Sequence, residues 1–67
     1  MRILVNKEFS VIRIQKGLSV TKLAELMEVN PSVISRMEKG KAIRASTAKK
    51  VCEALHEPFE TLFVIEN

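Results

Sequence analysis

Apolar residues recur at intervals of three and four positions along two short segments in the middle of the chain. The positions that this spacing would bury are Leu23, Ala24, Met27, Ile34 and Met37. The link between the segments is too short for anything but an angled pair, and Ala24 is small where two crossing helices approach closely. The pattern therefore predicts two short amphipathic helices that pack against each other.

Each of these predicted helices begins at a residue that can cap it. The side chains of Ser19 and Asn30 can accept a hydrogen bond from a backbone N–H in the first turn, and Pro31 suits the first helical position. Two such helices are typical of a helix-turn-helix, whose second helix enters the major groove of DNA.

The N-terminal segment is predicted to form a strand and a helix. Met1 to Val5 is an apolar run with β-branched residues and too short for helical periodicity. A first helix is expected from about Lys7 to Lys16, with Asn6 as its cap and Gly17 as the left-handed residue that ends it. The residues expected on its inner face are Phe9, Ile12 and Arg13.

The C-terminal segment is predicted to form two helices and a strand. A fourth helix is expected from about Ala45 to Leu55, and Pro58 begins a short fifth helix. The residues expected to face the core are Ala48, Val51, Cys52 and Leu55 on the fourth helix and Phe59 and Leu62 on the fifth. Phe63 to Ile65 has strand character and is expected to pair antiparallel with Ile3 to Val5.

The expected fold is a single all-α domain over residues 1–67, with five helices and a small two-stranded antiparallel sheet from the termini. A chain this short buries only about 60% of the surface that its unfolded form exposes. Its core is thin, and we expect a second subunit to stabilise it.

The net charge is only +3, but positive charge is concentrated beside the second helix of the central pair. Residues 31–50 contain six cations and one acidic residue, Glu38, whereas residues 51–67 contain four glutamates and no lysine or arginine. The six cations are Arg36, Lys39, Lys41, Arg44, Lys49 and Lys50. A single charge cluster is usually a solvated run, but one next to a groove-binding helix indicates a surface for a polyanion.

The composition argues against catalytic and metal chemistry. With no aspartate, one histidine and two glycines, the chain can assemble neither a Ser-His-Asp triad nor a glycine-rich phosphate loop, so we expect no enzyme. Cys52 and His56 have a spacing that can hold a metal, but no other Cys or His is present to complete a four-ligand structural site. We expect no metal, cofactor or small-molecule ligand.

The sequence predicts a cytoplasmic protein. No apolar stretch approaches the roughly 20 residues that span a bilayer, and the first five residues are too short for a signal peptide. A single cysteine can form no internal disulfide, which fits a reducing compartment.

Four motifs carry a resemblance that extends from about Phe9 to Phe63. They are Arg-Ile-Gln-Lys-Gly-Leu-Ser at 13–19, Lys-Leu-Ala-Glu-Leu at 22–26, Val-Ile-Ser-Arg-Met-Glu-Lys-Gly-Lys at 33–41 and Ala-Lys-Lys-Val-Cys-Glu-Ala-Leu at 48–55. With these four motifs in this order, the chain resembles the Xre family of helix-turn-helix regulators, which includes phage Cro proteins and repressors. The resemblance implies a lambda-repressor-like DNA-binding domain, bacterial or phage-encoded, with a structural ion pair between Arg13 and Glu38.

The chain departs from the family pattern at three positions. Val20 and Pro31 stand where the family usually has glutamine. Glu28 stands where the family usually has glycine, so it must adopt a left-handed conformation or shift the turn, at a cost of about 1 kcal/mol. The first two departures remove polar side chains that the family places at the DNA.

The resemblance also assigns candidate DNA contacts. The candidates for base contact are Pro31, Ser32, Val33, Ser35 and Arg36. Phosphate contact needs positive charge and free backbone N–H groups, and on that ground the candidates are Ser19, Val20, Thr21, Lys22, Lys39, Lys41 and Arg44. For any one of these lysines, a solvated side chain is the alternative. Arg36 is the strongest base candidate because a guanidinium can pair with guanine O6 and N7; its alternatives are a phosphate contact or a solvated side chain.

We therefore expect a transcription regulator that binds a palindromic operator as a homodimer and represses by occupying it. The dimer interface is expected on the side away from the second helix of the pair, at Phe59, Leu62, Phe63, Val64 and Ile65. The alternative is an antitoxin-type interaction module, whose acidic tail binds a partner protein while the same motif binds its own promoter.

Overall fold

The fold consists of five short helices between two terminal strands. The structure, a computed structural model, describes residues 1–67. The elements are β1 (Arg2–Val5), α1 (Phe9–Gln15), α2 (Val20–Met27), α3 (Pro31–Glu38), α4 (Ala45–Leu55), α5 (Phe59–Leu62) and β2 (Phe63–Glu66). The expected helical fold with a small antiparallel sheet is confirmed. None of the helices has the length and apolar character that crossing a bilayer requires.

The caps of α2 and α3 form as the sequence predicts. Ser19 Oγ accepts a hydrogen bond from the Lys22 N–H at 3.0 Å. Asn30 Oδ1 accepts one from the Ser32 N–H at 2.9 Å, and Pro31 takes the first position of α3. Each side-chain oxygen satisfies an amide that has no partner within its helix, so both helices begin at a defined residue.

The turn between α2 and α3 is made by Glu28 in the left-handed conformation, with φ of 57°. The next amide, that of Val29, donates to the Ala24 carbonyl at 3.0 Å and closes the turn. The left-handed residue predicted at this position is therefore present, and it directs α3 across α2.

The start of α1 differs from the prediction. The helix begins at Phe9 rather than Lys7, and Asn6 is not its N-cap. Asn6 Oδ1 accepts from the Glu8 N–H at 3.0 Å, while Asn6 Nδ2 donates to the Thr61 carbonyl at 2.7 Å. Asn6 therefore closes the turn that precedes α1 and fastens that turn to α5.

Twelve apolar side chains form one core between the helices and the sheet. They are Ile3, Phe9, Leu23, Ala24, Met27, Ile34, Met37, Ala48, Val51, Leu55, Leu62 and Phe63. Every residue predicted to be buried on α2 and α3 is among them, whereas Cys52, Phe59 and Ile12 are half-buried. The fifth helix begins one residue after Pro58, which precedes its first turn.

The sheet has β1 at its centre. β1 and β2 pair antiparallel, with Ile3 opposite Ile65 and Leu4 opposite Val64. On the other side of β1, the Ile3 carbonyl accepts a hydrogen bond from the Ile43 N–H at 3.0 Å. The segment between α3 and α4, predicted only as a basic loop, is therefore fastened to the sheet.

Candidate nucleic-acid interface

The predicted base-contacting residues all lie on α3, whose inner face is buried in the core. Pro31, Ser32 and Arg36 are exposed, whereas Val33 and Ser35 are half-buried. Val33 packs partly against the core, so its methyl groups offer a smaller outer surface than the sequence suggested. The freely presented polar groups of this helix are therefore those of Ser32 and Arg36.

Arg36 lines an open groove of about 460 Å³ between α3, the following loop and α4. The groove is lined by Val33, Arg36, Met37, Lys41, Ala42, Ile43, Arg44 and Thr47. Arg36, Lys41 and Arg44 thus surround one recess, although sequence reasoning assigned Arg36 to bases and the other two to phosphates. Ile43 and Thr47 also line the groove, but the sequence analysis did not include them in the site. Thr47 could have been found from its position, because it lies in the first turn of α4, just after Arg44.

Backbone hydrogen bonds to α3 and β1 hold the loop that carries these cations. The Lys41 N–H donates to the Arg36 carbonyl at 3.1 Å, and the Ile43 N–H donates to the Ile3 carbonyl of β1. Lys41 and Arg44 therefore extend from backbone that is ordered before a ligand arrives. Such preorganisation reduces the conformational entropy lost on binding.

The positive charge of residues 31–50 is not neutralised within the chain. Four cations elsewhere, Arg2, Arg13, Lys16 and Lys22, each lie within 4.0 Å of a carboxylate. None of Arg36, Lys39, Lys41, Arg44, Lys49 and Lys50 does so. Two of the C-terminal glutamates are used elsewhere, because Glu57 pairs with Lys16 at 2.7 Å and Glu66 with Arg2 at 3.1 Å. The unpaired Arg36, Lys41 and Arg44 therefore make the groove a surface suited to a polyanion.

The first turn of α2 offers a second place for a phosphate. Ser19 Oγ is occupied by its capping bond, and the amides of Val20 and Thr21 have no partner within the helix. Amides at the positive end of a helix attract phosphate. Lys22 Nζ lies 3.5 Å from Glu25 Oε1, but these side chains are 60% and 63% exposed, so the pair is weak and leaves Lys22 available.

An ion pair fixes the C-terminal end of α3. Arg13 Nε donates to Glu38 Oε2 at 2.6 Å and Arg13 Nη2 to Glu38 Oε1 at 3.3 Å. The two side chains are only 10% and 17% exposed, so both charges are largely withdrawn from water. This pair sets the position of α3 relative to α1, and it does not extend into the groove.

Fewer of the predicted dimer-interface residues are exposed than the sequence suggested. Leu62 and Phe63 are buried in the core of the single chain and are not available to a partner. Phe59 is half-buried, with its ring centroid 5.2 Å from that of Phe63. Only Val64 and Ile65 are exposed, at 48% and 53%. β1, on the inner side of β2, packs against α3.

Cys52 and His56 do not form part of a larger ligand cluster. No group of three or more His, Cys, Asp or Glu side chains is arranged to hold a metal ion. Burial raises the pKa of the half-buried Cys52 thiol, and the carboxylates of Glu60 and Glu53 add to the rise. The raised pKa keeps the Cys52 thiol in its protonated, less reactive form. His56 ends α4 in the left-handed conformation, with φ of 55°.

Comparison with known proteins connects this geometry to a family. A family sequence model described as helix-turn-helix matches residues 11–62, which runs from α1 to α5 and covers most of the chain. A search of curated proteins finds no match.

Proposed function

Because the chain belongs to the Xre/Cro-like helix-turn-helix family of DNA-binding domains, we propose that it is a sequence-specific transcription repressor rather than an enzyme. It binds an inverted-repeat operator as a homodimer and acts by occupying the site. It works in the cytoplasm, on a bacterial or phage genome.

The observation that carries this proposal is the groove between α3 and α4. Arg36 on the exposed face of α3 adjoins Lys41 and Arg44, and none of the three has an acidic partner. A helix inserted in the major groove needs one surface that reads base edges and a neighbouring one that holds the phosphates. The closeness of Arg36 to Lys41 and Arg44 in one groove supports this division of roles.

Each contact then has a role. The base-contacting group consists of Pro31, Ser32, Val33, Ser35 and Arg36, with Arg36 paired to a guanine. The phosphate-contacting group consists of Ser19, Val20, Thr21, Lys22, Lys39, Lys41 and Arg44. Val20 contributes its backbone N–H, because its side chain is half-buried.

Dimerisation supplies the affinity and specificity for DNA that a single domain lacks. One α3 presents few base-reading groups, so a single half-site gives limited affinity and specificity. Two domains related by a twofold axis would place their α3 helices about 34 Å apart, one turn of DNA. The exposed Val64 and Ile65 are the remaining part of the predicted interface.

Selection of bound duplexes from a random DNA pool tests the proposal directly. We expect enrichment of an inverted repeat whose half-sites are separated by about one helical turn. A parallel selection with a variant carrying Arg36→Ala, Lys41→Ala and Arg44→Ala is the matched control and should enrich nothing. Failure of the unaltered chain to enrich any sequence would contradict sequence-specific recognition.

A further inference from the structure

The loop between α3 and α4 touches the terminal sheet at one residue, which lies between the proposed phosphate contacts Lys41 and Arg44. The Ile43 N–H donates to the Ile3 carbonyl at 3.0 Å, and the two residues form an isolated antiparallel bridge. From Ala42 to Thr47, no other backbone amide donates a hydrogen bond within the chain. The bond between Ile43 and Ile3 is therefore the one backbone attachment of this stretch.

The acceptor of this bond has a fixed position. The Ile3 side chain is only 5% exposed and belongs to the core. Its strand, β1, pairs with β2 along its whole length and packs against α3. The Ile43 side chain is half-buried and packs against the same core. The sheet thus gives the loop a fixed point of attachment.

The attachment lies where it can orient the two cations. On one side of it, the Lys41 N–H donates to the Arg36 carbonyl at 3.1 Å. On the other side, Arg44 follows Ile43 directly and is the N-cap of α4, a helix that no side chain caps. Lys41, Ile43 and Arg44 all line the groove beside α3. The positions from which the two cations reach this groove therefore depend on where the Ile43 backbone is held.

We propose that Ile43 is a positioning residue, whose hydrogen bond to Ile3 couples the terminal sheet to DNA binding. With the bond formed, Lys41 and Arg44 meet phosphates without reordering of the loop. With the bond open, the loop samples other conformations, and the apparent affinity falls with the fraction of time that the competent one is populated. The proposal rests on the phosphate contacts of the proposed function and states what holds them in place.

The coupling acts in both directions, so it can be measured in the unaltered chain. DNA that binds better to the attached loop must also stabilise the bond between Ile43 and Ile3. The Ile43 amide should exchange its hydrogen more slowly than the Ala42 and Arg44 amides, because only Ile43 has a partner. A mixed-sequence duplex of about two helical turns should slow it further. An Ile43 amide that exchanges as fast as its neighbours, or that the duplex does not protect, would overturn the proposal.

A backbone substitution tests the bond itself. Replacement of the Ile43 amide by an ester in a chemically synthesised chain removes the donor and retains the side chain. The ester should weaken binding to the mixed-sequence duplex about threefold to tenfold, the range expected for one backbone hydrogen bond. An ester at Ala42 is the matched control and should leave binding nearly unchanged, because that N–H has no partner. Circular dichroism verifies that both chains fold, and hydrogen exchange of the unaltered chain decides the question if they do not.

A double-mutant cycle distinguishes positioning from a general loss of stability. In a chain with Lys41→Ala and Arg44→Ala, the Ile43 ester should have no further effect on duplex binding, because the groups that it positions are gone. The measurements are made at low salt concentration, where the weakened chains still bind. An ester that weakens binding by the same factor in both backgrounds would show a loosened fold and overturn the proposal.

The same measurements separate this inference from the proposed function. If Lys41→Ala with Arg44→Ala weakens duplex binding and the Ile43 ester does not, the phosphate contacts stand and the positioning role is wrong. If the ester acts only when Lys41 and Arg44 are present, yet selection from a random pool enriches no sequence, the positioning role stands and sequence-specific repression fails. If Lys41→Ala with Arg44→Ala leaves duplex binding unchanged, the phosphate assignment fails and the positioning role fails with it.

Discussion

Arg13 donates to Glu38 and to the Leu18 carbonyl at the same time, so one guanidinium connects α1, the turn before α2 and the end of α3. The Arg13 Nη1 to Leu18 oxygen distance is 2.7 Å. The orientation of α3 therefore depends on a polar contact in an otherwise apolar interior.

Glu38→Ala should be strongly destabilising, because it leaves the largely buried Arg13 charge without its partner. Removal of one member of a buried pair typically costs about 3–5 kcal/mol, measured as a lower urea midpoint. Glu25→Ala is the matched control and should change stability by no more than about 1 kcal/mol, since its pair with Lys22 is exposed. Similar effects of the two variants would show that the Arg13–Glu38 pair is not special.

Glycine at the two left-handed positions should stabilise the domain. Glu28 and His56 have φ of 57° and 55°, a conformation that costs a side-chain-bearing residue about 1 kcal/mol. We expect Glu28→Gly and His56→Gly each to raise the melting temperature, with nearly additive effects. Glu25→Gly, inside α2, should lower the melting temperature, because glycine within a helix costs about 1 kcal/mol of stability. A lower melting temperature for both left-handed variants would contradict the strain argument.

Arg36→Ala should relax sequence preference at one base pair of each half-site. The expected loss on the selected operator is about 1–3 kcal/mol per bidentate contact. Arg36→Lys keeps the charge without the planar fork, so it should restore nonspecific affinity and not the base preference. An unchanged preference in a selection with Arg36→Ala would assign Arg36 to the phosphates.

Lys41→Ala together with Arg44→Ala should weaken binding to all duplexes alike. Each lost phosphate contact should reduce the slope of log affinity against log salt concentration by about 0.9. Lys7→Ala, which removes one positive charge instead of two, is the control for charge loss outside the groove, because Lys7 is exposed and lies in the turn before α1. Loss of operator affinity without a change in the salt slope would rule out the phosphate role of these two residues.

The central helix pair was predictable residue by residue because its signals are local. Ser19, Asn30 and Pro31 act on amides or dihedral angles within three positions of themselves, and the apolar spacing identifies the buried face. Asn6 was assigned wrongly because its amide has a partner at Thr61, 55 residues along the chain. No local pattern contains that contact.

The groove beside α3 and the burial of the C-terminal apolar residues were less predictable for the same reason. The hydrogen bond between Ile43 and Ile3 joins a single loop residue to a strand 40 positions earlier, with no strand pattern around Ile43. The sequence did not indicate which apolar side chains between Phe59 and Ile65 would be buried in the core. Phe63 is buried because its ring lies between those of Phe9 and Phe59, at centroid distances of 6.0 and 5.2 Å.

The two ends of the chain pair to form the sheet. The sheet and the helices therefore differ in the loop-closure entropy that their formation costs. Arg2 and Glu66 are 64 positions apart, so their pairing encloses nearly the whole chain and carries a large loop-closure entropy. The packing of α2 against α3 and α4 joins near neighbours and needs no such closure. The terminal strands should therefore exchange amide hydrogens faster than α2 and α3. Conditions that fray the ends would then release the terminal strands before α2 and α3, which carry most of the proposed DNA contacts, unfold.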